Sequence, residues 1–178
     1  MRWFRFQLLT FIRRQRWQMR LWLQSHPRIT AFLERTGSLH VDEQALARGA
    51  AMGLFIGLTP TVGVQTLLML AGAVLLRANF PAAYLLSFVS NPLTMGPLYY
   101  GFHETGEALL RAVPLIPPES GPVMALGEEI MNNAMTTLLG SLLIATPAAM
   151  LGYAVAYRMW RLRQARVQAR RMALAAKG

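Results

Sequence analysis

Phe88–Tyr100 reads FVSNPLTMGPLYY and lies inside a run without a charged residue from Ala78 to Phe102. That run is long enough to cross a bilayer, which takes about 20 apolar residues in a helix. Its centre nevertheless holds Asn91, Pro92, Thr94, Gly96 and Pro97, residues that break helices or need hydrogen-bond partners. The residue before a proline avoids helical backbone, so a helix arriving at Ser90 stops at Asn91-Pro92. Irregular backbone at membrane depth survives only where protein or a water-filled cavity covers it. The stretch therefore predicts a chain that turns or breaks within a membrane.

Two more charge-free stretches accompany it, Gly49–Leu76 and Met131–Tyr157. Only the last, from Leu138 onward, reads as an ordinary span. Its helix is expected to tolerate Pro147 and to continue into the tail RMWRLRQARVQARRMALAAKG, where arginines reach for phosphates. The first stretch divides. Gly49–Thr59 makes a helix of about 16 Å, roughly half a bilayer core. PTVG at Pro60–Gly63 interrupts it, and Val64–Leu76 forms a second short helix. Asn79 stands two residues before Pro81, an arrangement that caps a helix over Pro81–Ser90. A further helix resumes over Thr94–Arg111. The TPTVG and SNPLT breaks are expected to face each other.

Composition agrees with a membrane protein. The chain is 54% hydrophobic and 15% charged, against about a quarter charged in soluble domains, and its mean hydropathy is +0.32. It has no cysteine, which removes disulfides and thiolate metal sites. The net charge of +10 is unevenly spread. Residues 1–48 hold nine arginines against Glu34, Asp42 and Glu43, whereas residues 158–178 hold six arginines and Lys177 without an acid. Residues 103–130 hold Arg111 against Glu104, Glu107, Glu119, Glu128 and Glu129. Cytoplasmic flanks collect Lys and Arg, so both termini are placed in the cytoplasm and residues 103–130 outside. The basic residues flank apolar runs instead of sharing one folded surface, which argues against nucleic acid. Parity then requires residues 49–102 to cross an odd number of times, so one stretch is re-entrant or both are built of half-helices.

The amino-terminal 1–40 segment differs. On a helical wheel Arg2, Arg5, Arg13, Arg16 and Arg20 fall within an arc of about 80°, opposite most of the aromatic and aliphatic residues. A basic, tryptophan-bearing amphipathic helix of this kind lies in the membrane interface. Packing on the rest of the domain is the alternative. No signal peptide is expected, because arginines interrupt every apolar run.

Gly49, Gly53 and Gly57 recur every fourth residue, with Ala45 before them. Small residues at that spacing let another helix backbone approach closely, here within the chain ahead of a dimer seam. Asp42 reads as the start of that helix. Polar site material within the first two stretches is limited, chiefly to Thr59, Gly63, Gln65, Asn79, Ser90, Asn91 and Thr94, with Pro60 and Pro92 setting the breaks. Discontinuous helices with polar ends form substrate sites in transporters; equally, such side chains cap broken ends. GLFIGLTP (Gly53–Pro60) and GSLLIATP (Gly140–Pro147) share Gly, Thr and Pro at one spacing, a weak internal echo. HETGE at His103–Glu107 lacks the second histidine of a zinc helix. No acid, base or nucleophile lies inside the apolar zone, so neither an enzyme nor a cofactor or metal is expected.

ARGAAMGLFIGLTPTVGVQTLL (Ala47–Leu68) followed by RANFPAAYLLSFVSNPLT (Arg77–Thr94) resembles a bacterial inner-membrane family catalogued as domain of unknown function number two thousand and sixty-two. The resemblance covers roughly Asp42 to Tyr157. It implies a small helical membrane protein, in some relatives appended to envelope enzymes, and implies no reaction. The expected fold is an all-α integral membrane helical domain with broken or re-entrant helices over 41–157, an interfacial helix before it and a basic cytoplasmic tail after it. Expected partners are membrane lipids and either an envelope enzyme or a second copy of the chain. Two functions fit: a translocator or channel-like protein for a lipid phosphate or small solute, or a membrane scaffold for an envelope enzyme.

Overall fold

The computed structural model describes residues 2–61, 63–112 and 124–175; of the helical residues among these, the side chains of 2–9, 11, 12, 16, 92 and 124–130 are outside the description. Helices make the whole fold, and no strand occurs among the described residues. They are α1 (Arg2–Ser25), α2 (Pro27–Arg35), α3 (Glu43–Gly57), α4 (Gln65–Leu75), α5 (Phe80–Ser87), α6 (Pro92–Ala112) and α7 (Met124–Ala175). The segment Pro114–Pro122 falls outside the described residues. Helix accounts for part of the acidic region 103–130, since 103–112 are the last turns of α6 and 124–130 the first of α7.

The caps explain where the helices start. The Asp42 carboxylate accepts the backbone N–H groups of Gln44 and Ala45, at 2.8 and 2.7 Å, and so opens α3. The Asn79 side chain accepts from Ala82 N–H at 2.8 Å and opens α5, whose first turn contains Pro81. It also donates to the His40 carbonyl at 2.7 Å, which fastens the α2–α3 linker to the foot of α5. Helix α4 ends in a Schellman arrangement: Ala78 N–H reaches Ala73 O and Arg77 N–H reaches Val74 O. The turning residue is Arg77, with φ +47°, where glycine is usual. A side chain in that left-handed region costs about 1 kcal/mol.

Glycines then decide how α3, α4 and α5 pack. A Cβ at Gly49 would come 2.5 Å from the Asn79 carbonyl oxygen, one at Gly53 would strike the Ala83 backbone, and one at Gly57 would lie 2.9 Å from Ser87 Cα. The three glycines of α3 are thus seated on Asn79, Ala83 and Ser87, which recur at the same spacing along α5. The two helices run parallel at backbone contact, as small residues permit. Helix α4 returns antiparallel beside α3: a Cβ at Gly72 would meet Met52 Sδ at 2.6 Å, and Arg48 Nη1 donates to the Leu76 carbonyl at 3.1 Å. So α3 and α4 form a hairpin whose tip is the TPTVG segment, and α5 runs back up to the level of that tip.

Helix α7 is the spine. It contains 52 residues, about 78 Å of helix, and Pro147 lies inside it without ending it. Both α3 and α6 run antiparallel to α7, one beyond the other. A Cβ at Gly152 would meet Leu54 Cδ1, and one at Gly140 would strike Phe102 O; one at Gly106 would strike Thr136 O. Leu58, Phe102 and Ala145 bury one another where α3 gives way to α6. A second apolar cluster joins Met19 and Leu33 to Met52, Met69, Ala73, Phe80 and Ala83. Through it the later half of α1 docks on the body, with the Trp22 ring 5.9 Å from Phe80.

Among the described residues one helix is long and apolar enough to cross a membrane, the stretch of α7 from Met131. Only 17% of its most apolar window is buried, whereas the core helix of a soluble protein is mostly buried. The whole chain exposes 13277 Å², against about 8700 Å² for a compact soluble monomer of its 19.9 kDa. Large apolar side chains supply much of that surface, among them Leu67, Leu75, Leu93, Tyr100, Met150 and Leu151.

Candidate functional site

The two breaks come together in height. Gly57 ends α3 against Ser87 at the end of α5, and a Cβ there would lie 3.2 Å from Val89 Cγ1. Leu58, one residue into the first break, shares its cluster with Phe102 and Ala145, and Leu98 packs against it. Both interruptions therefore meet α7 near Ala145, close to the middle of its charge-free Met131–Tyr157 stretch.

Most of their polar side chains serve their own backbone. Thr59 Oγ1 donates to the carbonyls of Phe55 and Ile56, and Thr61 Oγ1 to Ile56, which occupies carbonyls left free where α3 ends. Gly63 adopts φ +91°, a turn that glycine makes without strain. At the second break Asn91 Oδ1 accepts from Leu93 N–H at 2.9 Å and Thr94 N–H at 3.2 Å. Thr94 Oγ1 answers by accepting Asn91 N–H at 2.9 Å and donating to Val89 O at 2.7 Å. This is a reciprocal cap for α6, and the Pro92 that begins the helix loses no needed N–H. No hydrogen bond joins one break to the other among the described residues.

Three polar residues at this level are different. The side chains of Gln65, Thr66 and Ser90 make no hydrogen bond among the described residues. Thr66 is exposed, and Gln65 and Ser90 are half-buried. Pro60 is half-buried and structural; the Pro92 side chain lies outside the described residues. Asn79 sits at the opposite end of α5 from the breaks, so it belongs to a separate polar group. The arginines expected at a membrane interface divide similarly: Arg13 and Arg20 are exposed on α1, while the side chains of Arg2, Arg5 and Arg16 lie outside the described residues.

Charge-bearing chemistry is sparse elsewhere. On α6, Glu107 pairs with His103 at 3.4 Å and with Arg111 at 2.5 Å, all on one helix face. Among the described residues no cluster of His, Cys, Asp or Glu could hold a metal.

Sequence reasoning missed a cleft of about 590 Å³ at the foot of the α3–α4 hairpin. Arg35, Gly37, His40, Asp42, Arg48 and Arg77 line much of it. The available signal was Arg77, the one charge between Gly49 and Phe102. Its neighbours could not be read off, because the hairpin and linker bring them from distant positions.

A family model described as an uncharacterized protein conserved in bacteria (DUF2062) matches residues 27–169. No curated protein matches the chain, and no solved structure does.

Proposed function

The chain belongs to this family of uncharacterized bacterial proteins, and from that premise we propose that it is a small inner-membrane translocator, channel-like in design, for a lipid phosphate or small solute. In this reading α7 crosses the bilayer. Helices α5 and α6 make one broken crossing in the opposite direction, and the α3–α4 hairpin is re-entrant. Residues 49–102 then cross once, which satisfies the parity set by two basic, cytoplasmic ends. The amphipathic α1 lies at the cytoplasmic interface, with its later half held by Phe80. Met131–Tyr157 supplies about 40 Å of helix free of charge, more than the roughly 30 Å hydrocarbon core.

The observation that carries the proposal is the set of unpartnered side chains at the breaks. Gln65, Thr66 and Ser90 lie near mid-core beside backbone that is not helical. A polar group in hydrocarbon without a hydrogen bond costs a few kcal/mol, and unpaired backbone costs similarly. Water or a polar solute beside the hairpin tip removes that cost. Discontinuous helices whose ends meet near mid-membrane are where transporters build their substrate sites.

The self-capping of Thr59, Thr61, Asn91 and Thr94 favours the second reading, a membrane scaffold whose breaks are dry and covered by a second copy or an envelope enzyme. One experiment separates them. Single cysteines at Thr66, Ser90 and Gly96 are introduced into the cysteine-free chain, and cells and inverted vesicles are treated with a membrane-impermeant thiol reagent. Labelling of these positions in the folded protein is the expected result. Silence at all three until detergent denatures the protein contradicts translocation and leaves the scaffold.

A further inference from the structure

The cleft at the foot of the hairpin gathers arginines from three segments of the chain, the end of α2, α3 and the turn after α4. Three arginines, Arg35, Arg48 and Arg77, line it together with a single acidic residue, Asp42. That carboxylate is committed to α3, since one of its oxygens holds two backbone N–H groups. Among the described residues the only ion pairs are those of Glu107, so none of the three arginines is paired with a carboxylate, and the one carboxylate on the wall leaves an excess of two positive charges. Arg48 is half-buried and held in place, donating to Leu76 O and Gln44 Oε1 at 3.1 Å each. Arg77 stands at φ +47°, where glycine would relieve strain and an arginine contributes nothing to the turn. The chain thus carries backbone strain at the residue that places a third cation on the cleft, and strain of this kind gathers at functional sites.

We infer that this cleft is a binding site for a phosphate group. Guanidinium is planar, keeps its charge at any physiological pH and matches phosphate oxygens two at a time. A phosphate dianion would offset the mutual repulsion of the three arginines. With Ala50 beside Gly152 and α3 antiparallel to α7, residues 42–48 lie up to about two turns farther along α7, level with Ala154–Trp160. In the proposed membrane placement that is headgroup level. The phosphate chemistry is shared by an anionic lipid headgroup and a soluble phosphate compound. The inference stands on the cleft and does not need the translocation reading.

The test uses the full chain in maltoside micelles and phosphate-free buffer, with calorimetric titration and thermal melting. The probes are inorganic phosphate and dihexanoyl phosphatidic acid, with dihexanoyl phosphatidylcholine as a zwitterionic control. Wild-type protein is expected to bind one or both anionic probes at least tenfold more tightly than the control. A preference for phosphatidic acid identifies a headgroup site, and a preference for inorganic phosphate a soluble ligand. Arg77→Gly is expected to melt at or above the wild-type temperature while binding at least tenfold more weakly. Arg35→Gln, at an exposed position, is a second variant expected to weaken binding. Absence of binding to either anionic probe by the wild type, or wild-type affinity in both variants, overturns the site.

Discussion

Gly53→Val is expected to keep the helical body from accumulating as a folded protein. Gly53 touches the backbone of Ala83, and even a single Cβ would strike that residue's carbonyl oxygen. Backbone in the middle of α5 has no freedom to retreat, since Asn79 holds one end and Ser87 rests on Gly57 at the other. In lipid, apolar surface gives helices little reason to associate, so close packing of small residues carries the contact. Forcing a β-branched side chain against backbone costs about 3 kcal/mol, the upper end of ordinary overpacking and a large part of the stability of an ordinary domain. Gly101→Ala is the matched control: a Cβ there meets nothing within 4 Å, and alanine raises helix stability by up to about 1 kcal/mol. Size-exclusion profiles and melting in mild detergent should show Gly53→Val aggregated and Gly101→Ala unchanged or more stable. A monodisperse Gly53→Val with a wild-type melting temperature would contradict the packing.

Asn79→Leu ranks second, through hydrogen bonding instead of volume. Asn79 is 3% exposed and joins three segments. Its backbone N–H donates to Ala45 O of α3 at 2.8 Å, its side-chain oxygen caps α5, and its side-chain nitrogen holds His40 O. Leucine keeps the forked shape, at a larger size, and loses both side-chain bonds. Loss of the cap costs about 1 kcal/mol, and leaving the His40 carbonyl without its partner adds about 1–2 kcal/mol. The expected total is about 2–3 kcal/mol, read as a lower denaturation midpoint. Asn79→Ser retains a capping oxygen without the reach to His40 and should fall between leucine and wild type. Equal melting of all three would show that the tether carries no stability.

Local signals made most of the helix starts legible. Asp42 and Asn79 cap the helices their positions foretold, and the Gly49–Gly53–Gly57 spacing pointed to a close helix contact inside the chain. The interruptions were visible for the same reason, because Asn91-Pro92 and Pro60–Gly63 act on their own backbone. Repeated residues alone did not settle their fate. Thr59-Pro60 ends α3, yet Thr146-Pro147, at the same spacing from a glycine, lies within α7. The first pair leads to Gly63 with its positive φ, whereas the second is followed by AAMLGYAVAY, which keeps a helix going. The candidate site was harder to read. Whether Thr94 faces a pocket or its own Val89 carbonyl depends on side-chain geometry that spacing does not encode. The arginine cleft required three residues separated by 13 and 29 positions to converge, which only the return of α4 beside α3 brings about.

Side-resolved labelling of four single cysteines tests the central claim, that α3–α4 turns back within the membrane while α5–α6 crosses it. The positions are Val41 before α3, Arg77 after α4, Ala108 late in α6 and Ala175 at the end of α7, each exposed. The account predicts that Val41, Arg77 and Ala175 react with an impermeant reagent in inverted vesicles only, and Ala108 in intact cells only. Reaction of Arg77 from the same side as Ala108, or of all four from one side, would contradict it.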